Sequence, residues 1–167
     1  MKFPFFFVEK GQSNVSEICL ATTTGTEDQV IIELAKSLGV KHYIGSELDA
    51  LSRVLGAAET LWAEIIVEIT GDCPFVDPIM VDQYIEIIVS NYLDYVSNNI
   101  TSTYPDGFDV QVFLTEALKK SSCMATTREE REHVTMHIRQ NPQIFKTLNI
   151  VAPKPYRYPE ISVTLDT

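Results

Sequence analysis

The feature that most constrains this chain is an alternation of short apolar runs with amphipathic stretches across its first 92 residues. "VSEICLATTT" (15–24) reads as a buried strand entering a polar loop. "TEDQVIIELAKSLG" (26–39) reads as a helix, with Thr26 as N-cap, Glu27 and Asp28 in the first turn and Gly39 past the end. "VKHYIG" (40–45) is a short strand. "SELDALSRVLGAAETLW" (46–62) predicts a second helix, capped by Ser46, with Leu48, Leu51, Leu55 and Ala58 on one face. "EIIVEIT" (64–70) predicts a third strand. "DPIMVDQYIEIIVSNY" (77–92) predicts a third helix, with Asp77 as cap and Pro78 at the first helical position. Strand and helix alternating three times is the pattern of an α/β fold, a parallel sheet covered on both faces.

After residue 92 the rhythm changes. "DYVSN" (94–98) reads as a strand and "TSTYPDGFDVQVF" (101–113) as a loop running into another. "TEALKKSSCMA" (115–125) and "TREEREHVTMHIRQN" (127–141) read as helices, and "KTLNIVA" and "EISVTLD" as strands. The second half therefore reads as an insertion or cap attached to the sheet. The chain's 167 residues suffice for a full core, and no repeat or linker divides them, so one domain over 1–167 is expected.

The formal net charge of −10 argues against a nucleic acid or an anionic membrane as partner, since both need clustered Lys and Arg. The imbalance sits in residues 1–84, where 5 Lys/Arg face 13 Asp/Glu. An acidic half of that kind suits a metal ion better than a bare phosphate. Cys19, Cys73 and Cys123 form no CxxC pair, so free thiols in a reducing compartment are expected. No apolar run reaches the length of a membrane span. "MKFPFFFVEK" is interrupted by Pro4 and closed by Glu9 and Lys10, which disfavours a signal peptide and leaves a cytoplasmic location as the expectation.

Four places carry candidate chemistry. In "ITGDCPFVDP", Asp72 follows an apolar strand and lies between Gly71 and the Cys73-Pro74 pair. In an open α/β sheet, ligands sit outside the carboxyl ends of strands, where one carboxylate commonly holds Mg²⁺ beside a substrate phosphate. The plainer alternative is a turn or cap aspartate. Asp166 in "SVTLD" follows a second apolar run and offers a second carboxylate at the same edge, or a fraying terminus. "YPDGFDVQ" (104–111) sets Asp106 and Asp109 around Gly107, either as a turn or as a loop accepting hydrogen bonds from sugar hydroxyls. "REEREHVTMHIR" (128–139) places His133 and His137 at i, i+4. That spacing suits half a zinc site or an amphipathic surface helix with Glu130, Arg131 and Glu132 in solvated pairs. Arg128, Arg131 and Arg139 remain available to an anionic substrate.

Read in order, "ATTTGTEDQVIIELAKSLGV", "GSELDALSR", "ITGDCPFVDP", "DYVSN", "YPDGFDVQVF", "EREHVT" and "TLD" resemble the cytidylyltransferases that activate acidic sugars. These are the acylneuraminate and 3-deoxy-manno-octulosonate group, with the spore coat polysaccharide biosynthesis protein F branch most similar. The resemblance implies a three-layer α/β/α sandwich of the nucleotide-diphospho-sugar-transferase type. It implies transfer of CMP from CTP to an acidic sugar in cell-surface polysaccharide synthesis. It places Asp72 and Asp166 as ligands of Mg²⁺, with Asp72 the catalytic residue. Arg53, Asp106, Gly107, Asp109, Glu132 and His133 match motifs on the substrate side.

The chain departs from the family pattern at three points. The family opens on a strand and a basic loop of the form QARxGSxRLPxK; here "MKFPFFFVEKGQSN" stands in that place, so the first strand is missing and "FPFFFV" is a candidate to fill its gap. Glu68 stands where the family usually has arginine, and Ser52-Arg53 where it has Asp-Arg. The resemblance therefore carries the reaction without the triphosphate loop. The alternative is a non-catalytic module that binds a sugar, self-associates or joins a full-length paralogue through an open sheet edge.

Overall fold

A computed structural model describes residues 15–165. Asp166, "FPFFFV" and Lys10–Ser13 lie outside the described residues. The first half follows the expected alternation: β1 (Cys19–Thr22), α1 (Asp28–Ser37), β2 (Lys41–Ile44), α2 (Ala50–Leu61), β3 (Ile65–Glu68) and α3 (Pro78–Asn91). Then come β4 (Tyr95–Ser97), β5 (Gln111–Leu114), α4 (Thr115–Met124), α5 (Arg128–Glu132), α6 (Met136–Gln140) and β6 (Thr147–Asn149).

Two caps differ from expectation. Asp49, not Ser46, caps α2 by accepting from the Ser52 N–H at 2.8 Å; the Ser46 hydroxyl instead accepts from the Asp49 N–H at 3.1 Å. Leu48 thus lies before the helix and is 69% exposed. Thr26 does not cap α1, which follows Glu27; Asp28 turns its carboxylate back to Thr22 and Thr23. Asp77 does cap α3, accepting from the Ile79 N–H at 2.9 Å with Pro78 in the first turn.

The sheet is mixed rather than parallel. β1 and β2 pair in parallel, and a four-stranded sheet runs in the order β3–β5–β4–β6. β5 is antiparallel to both neighbours, while β4 and β6 are parallel. The reason is the connection: a parallel return needs a crossover over the sheet face, and residues 98–110 supply no helix for one. The second half is consequently no cap, because β5 lies between β3 and β4 inside the sheet.

Alternation along β3 sends side chains to two layers. Ile66 joins Leu51, Val54, Leu118, Ile138 and Phe145 under α2, α4 and α6. Ile65, Val67 and Ile69 meet Val81, Tyr84 and Ile88 of α3. This is the three-layer α/β/α arrangement. Each fully buried Leu or Ile contributes roughly 1.5–3 kcal/mol by leaving water. Among the described residues β1 pairs only with β2 and β3 only with β5. A groove of about 400 Å³, lined by Ile18, Cys19, Ala57, Leu61, Ile65 and Ile66 among others, lies between them.

Candidate functional site

The site is built on one rung of the sheet. Glu68 is opposite Gln111, Gln111 opposite Ser97, and Ser97 opposite Asn149, so four strands meet at a polar level. The next rung inward, Val67–Val112–Val96–Leu148, is wholly apolar. The polar rung is well tied in its middle. Gln111 Oε1 accepts from the Tyr95 hydroxyl at 2.8 Å and the Thr135 hydroxyl at 2.6 Å. Ser97 Oγ donates to Asn99 Oδ1 at 2.8 Å, and Asn149 Oδ1 accepts from the Thr101 N–H at 3.0 Å.

Asp72 lies just beyond β3. A turn closed by the Cys73 N–H on the Thr70 carbonyl at 3.0 Å presents it, half-buried, at the rim. Its own carbonyl accepts from the Leu165 N–H at 3.0 Å. The segment leading to Asp166 therefore runs beside Asp72, although Asp166 itself is outside the described residues.

The "YPDGFD" loop is held from both ends. Asn98, the last residue of "DYVSN", donates to the Phe108 carbonyl at 2.8 Å and accepts from the Val110 N–H at 3.0 Å. On the other side Asp106 N–H donates to the Ile161 carbonyl at 2.9 Å, and its carbonyl accepts from the Val163 N–H at 2.9 Å. Residues 160–165 of the expected strand form instead a strap with a single bridge, Asp106 to Ser162. Gly107 has φ of +102°, and a Cβ there would meet Val163 Cγ2 at 3.0 Å and Thr164 N at 3.1 Å. Its role is to let the strap pass. Asp106 is exposed, with its carboxylate accepting from the Ser162 hydroxyl at 3.2 Å.

Asp109 is half-buried and faces the rim. Burial pushes its carboxyl up, as do the charges of Asp106 and Asp72, while Arg139 and a hydrogen bond from Asn99 pull it down. Asp72, Asp106 and Asp109 are therefore one electrostatic group. Arg53, 5% exposed, sits on α2 with one guanidinium N–H donated to the Ser46 carbonyl. Its charge acts on both Asp28 and Glu68.

Among the described residues no hydrogen bond or ion pair joins Glu132 or His133 to this group. Both are exposed at the end of α5, and the ion pair of Glu132 is with Arg128 at 3.9 Å. The expected helix over 127–141 breaks at His133–Thr135. Val134 and Thr135 turn into the core, 6% and 2% exposed, and burial of that pair overrides helical continuity. His133 and His137 consequently share no helical face. His137 Nδ1 instead meets Glu130 Oε1 at 2.5 Å, and that bond is the chief cause holding the Glu130 carboxyl down at about 2. Arg131 is not a solvated pair either; it is half-buried against Asp49 at 3.4 Å and the Ser122 carbonyl at 2.7 Å. The zinc reading fails on this geometry.

For Mg²⁺ the donor chemistry fits: Asp72 supplies hard carboxylate oxygen, and Asp109, raised first by burial and then by the charges of Asp106 and Asp72, stands where a divalent cation would relieve that repulsion. Among the described residues no three His, Cys, Asp or Glu side chains surround one metal position. Sequence reasoning undervalued Glu68, Gln111, Thr135 and Arg139. The signal was present in "IIVEIT" and "DVQVF", where a polar residue interrupts an apolar strand.

A family model described as cytidylyltransferase matches residues 7–165. The chain belongs to the cytidylyltransferase family. Among curated relatives, an uncharacterized protein of Methanocaldococcus jannaschii is 37% identical over 158 residues, covering 95% of this chain and 64% of the relative. The spore coat polysaccharide biosynthesis protein SpsF of Bacillus subtilis is 28% identical over 162 residues, covering 96% of this chain and 65% of that protein. This cytidylyltransferase-family chain thus spans just under two thirds of the length of those relatives. A solved cytidylyltransferase from Leptospira borgpetersenii superposes with a TM-score of 0.84 at 29% identity, over 89% of this chain and 63% of that one. The structure of CMP:2-keto-3-deoxy-manno-octonic acid synthetase complexed with CTP gives 0.56 at 11% identity, over 84% of this chain and 75% of that one, and supports the fold alone. No helix among the described residues is long and apolar enough to cross a membrane.

Proposed function

We propose that this chain is a single domain that carries the metal and sugar side of a CTP-dependent sugar cytidylyltransferase acting in cell-surface polysaccharide synthesis. The observation that carries the reading is the convergence of Asp72, Asp109 and the strap ahead of Asp166 on one rim. In the reaction, a sugar oxygen attacks the α-phosphorus of CTP, the bond to pyrophosphate breaks, and the attacking oxygen loses its proton. Asp72 and Asp166 would hold Mg²⁺, which supplies charge neutralisation to the phosphates. Asp109 and the backbone of the "YPDGFD" loop would orient the sugar, and Arg53 would offset negative charge behind β3. A cytoplasmic location and an acidic sugar as acceptor accompany this reading.

The second reading is the non-catalytic module, which binds a sugar or associates with a second copy or a paralogue. What favours it is the acidic character of the rim, since Glu68, Asp72, Asp106 and Asp109 together repel a triphosphate unless cations compensate. Titration calorimetry of the chain with CTP and Mg²⁺ separates the two. Saturable heat that disappears without Mg²⁺ supports the first; no heat with CTP in either condition removes it.

A further inference from the structure

The polar rung ends in a buried carboxyl group with an unpartnered oxygen. Glu68 is 5% exposed, and its Oε2 is fully buried without a hydrogen-bond partner among the described residues. Nε of Arg53 and Nε of Arg139 are buried and unpartnered as well. All three belong to one place. Glu68 lies on the same side of β3 as Ile66, the side packed under α2, and the charge of Arg53 on α2 acts on it. Arg139 reaches the same level from α6: Thr135 anchors the helix break on Gln111, the register partner of Glu68, and Arg139 lies one helical turn beyond Thr135, its N–H bonded to the Thr135 carbonyl at 3.0 Å. From there its charge acts on Glu68, Tyr95 and Asp109. The sequence of groups across the site is therefore Arg53, Glu68, Arg139, Asp109, Asp72, with charge alternating along its first four members.

Buried polar groups are nearly always hydrogen-bonded, and a buried carboxylate left alone is costly. Here Glu68 and Arg139 do not satisfy each other: no ion pair within 4.0 Å joins them. Whatever completes them must donate a proton to the carboxylate and accept one from the guanidinium. A hydroxyl does both; a phosphate or carboxylate does only the second, and an ammonium only the first.

We propose that Glu68 and Arg139 form a hydroxyl-recognition subsite at the inner end of the rim, Glu68 accepting the hydroxyl proton and Arg139 donating to its oxygen. The subsite takes a polyol. Two sources share that chemistry, the ribose of the nucleotide and the ring of the acceptor sugar, and Asp109 beside Arg139 accepts a neighbouring hydroxyl in either case. The nucleotide arm rests on the proposed cytidylyltransferase reading; the sugar arm does not. Glu68 is thereby a specificity element for this chain, at a position where the sequence departs from the arginine usual in the family pattern.

The test is calorimetric titration of the full chain and of Glu68→Gln and Arg139→Gln. The probes are Mg²⁺ with CTP, Mg²⁺ with 2′,3′-dideoxy-CTP, and N-acetylneuraminate or 3-deoxy-manno-octulosonate without nucleotide. Circular dichroism confirms that each variant is folded, with Arg139→Lys as the conservative control. The expected result is a loss of about 10-fold or more in affinity for one hydroxyl-bearing probe in both glutamine variants. If ribose is the ligand, dideoxy-CTP binds wild type and Glu68→Gln alike; if the sugar is the ligand, the loss appears with the sugar acid alone. Equal affinity of wild type and both variants for every probe overturns the subsite, and leaves bound water as what satisfies Glu68. A wild type that binds the sugar acid but no CTP defeats the cytidylyltransferase reading while the subsite is still decided by the sugar arm. A wild type that binds none of the probes overturns both.

Discussion

The backbone N–H of Leu165 donates to the carbonyl of Asp72 at 3.0 Å, so the strap that ends the described chain is fastened to the turn presenting the rim carboxylate. Two stretches separated by more than ninety positions thus share one hydrogen bond. The same strap holds Asp106 on both sides of its peptide. Loop, strap and turn are joined by these backbone hydrogen bonds, so a change in one member reaches the others.

Gly107 is where that unit is most easily broken. A side chain at φ +102° is strained, and its Cβ would press on Val163 and Thr164. Gly107→Ala is expected to cost roughly 1–3 kcal/mol, which for a chain of this size lowers Tm by roughly 2–10 °C. Limited proteolysis should then cut near residues 158–165 faster than in wild type. An unchanged Tm and cleavage pattern would show that the strap does not depend on this glycine.

Among the described residues the Asp72 side chain makes only a long contact, Oδ1 accepting from Cys73 Sγ at 3.8 Å. Asp72→Asn should accordingly fold normally and lose metal-dependent nucleotide binding by about 10-fold or more, since the amide is a poor ligand for a hard cation. Titration with CTP at several Mg²⁺ concentrations measures this. A variant with wild-type Mg²⁺ dependence would place the metal elsewhere.

Glu68 gives the protein a pH dependence of identifiable sign. Burial raises its carboxyl to about 7, and Arg139 and Arg53 only partly offset that. The folded state thus holds a proton that the unfolded state releases near the ordinary carboxylate value. Stability is fully present below that value and declines as pH rises towards and through 7, by roughly 3 kcal/mol for a shift of this size. Thermal melts from pH 5 to 8 should show a falling Tm in wild type and a flatter profile in Glu68→Gln, which ought to be the more stable protein at pH 8. Parallel profiles would mean that Glu68 is not the titrating group.

Asp28 produces the opposite slope. Burial pushes its carboxyl up, but hydrogen bonds from the Thr23 and Thr22 side chains and the Thr23 N–H outweigh it and hold the group below its ordinary value. Its contribution is present above the ordinary carboxylate value and is lost as pH falls through the lowered one. Asp28→Asn removes an oxygen that accepts three bonds, at 2.8, 2.9 and 2.5 Å. A loss of about 1–3 kcal/mol at pH 7 is expected in denaturant unfolding, shrinking below pH 4. A variant as stable as wild type at pH 7 would remove Asp28 as the anchor between β1 and α1.

The first half was legible because local chemistry and tertiary need agree there. Asp77 and Pro78 cap and start α3 as their types prescribe, and the apolar runs at Cys19–Thr22 and Ile65–Glu68 are strands. The second half was not, for two separate reasons. Strand pairing is a long-range choice, and nothing in "DVQVF" announces that it inserts between β3 and β4. The helix over 127–141 has no glycine or proline to stop it, and the stop comes from Thr135 reaching Gln111, 24 residues away. The positions of Asp72 and Asp109 were legible, because their motifs put them just after β3 and just before β5. Those of Glu132 and His133 were not, because the helix that carries them ends early and leaves both exposed.

The polar rung also partitions the molecule mechanically. Inward of it, Val96 and Val112 are fully buried in the middle of the apolar rung; outward of it, the loop and strap are held by hydrogen bonds at exposed positions such as Thr101 and Asp106. Deuterium uptake should therefore be slowest at the amides of Val96 and Val112, which exchange on global unfolding, and faster at the exposed loop amides of Thr101 and Asp106, which exchange through local opening. A molecule divided in that way can loosen its rim to admit and release a ligand at ordinary temperature without softening the frame that holds the rim in register.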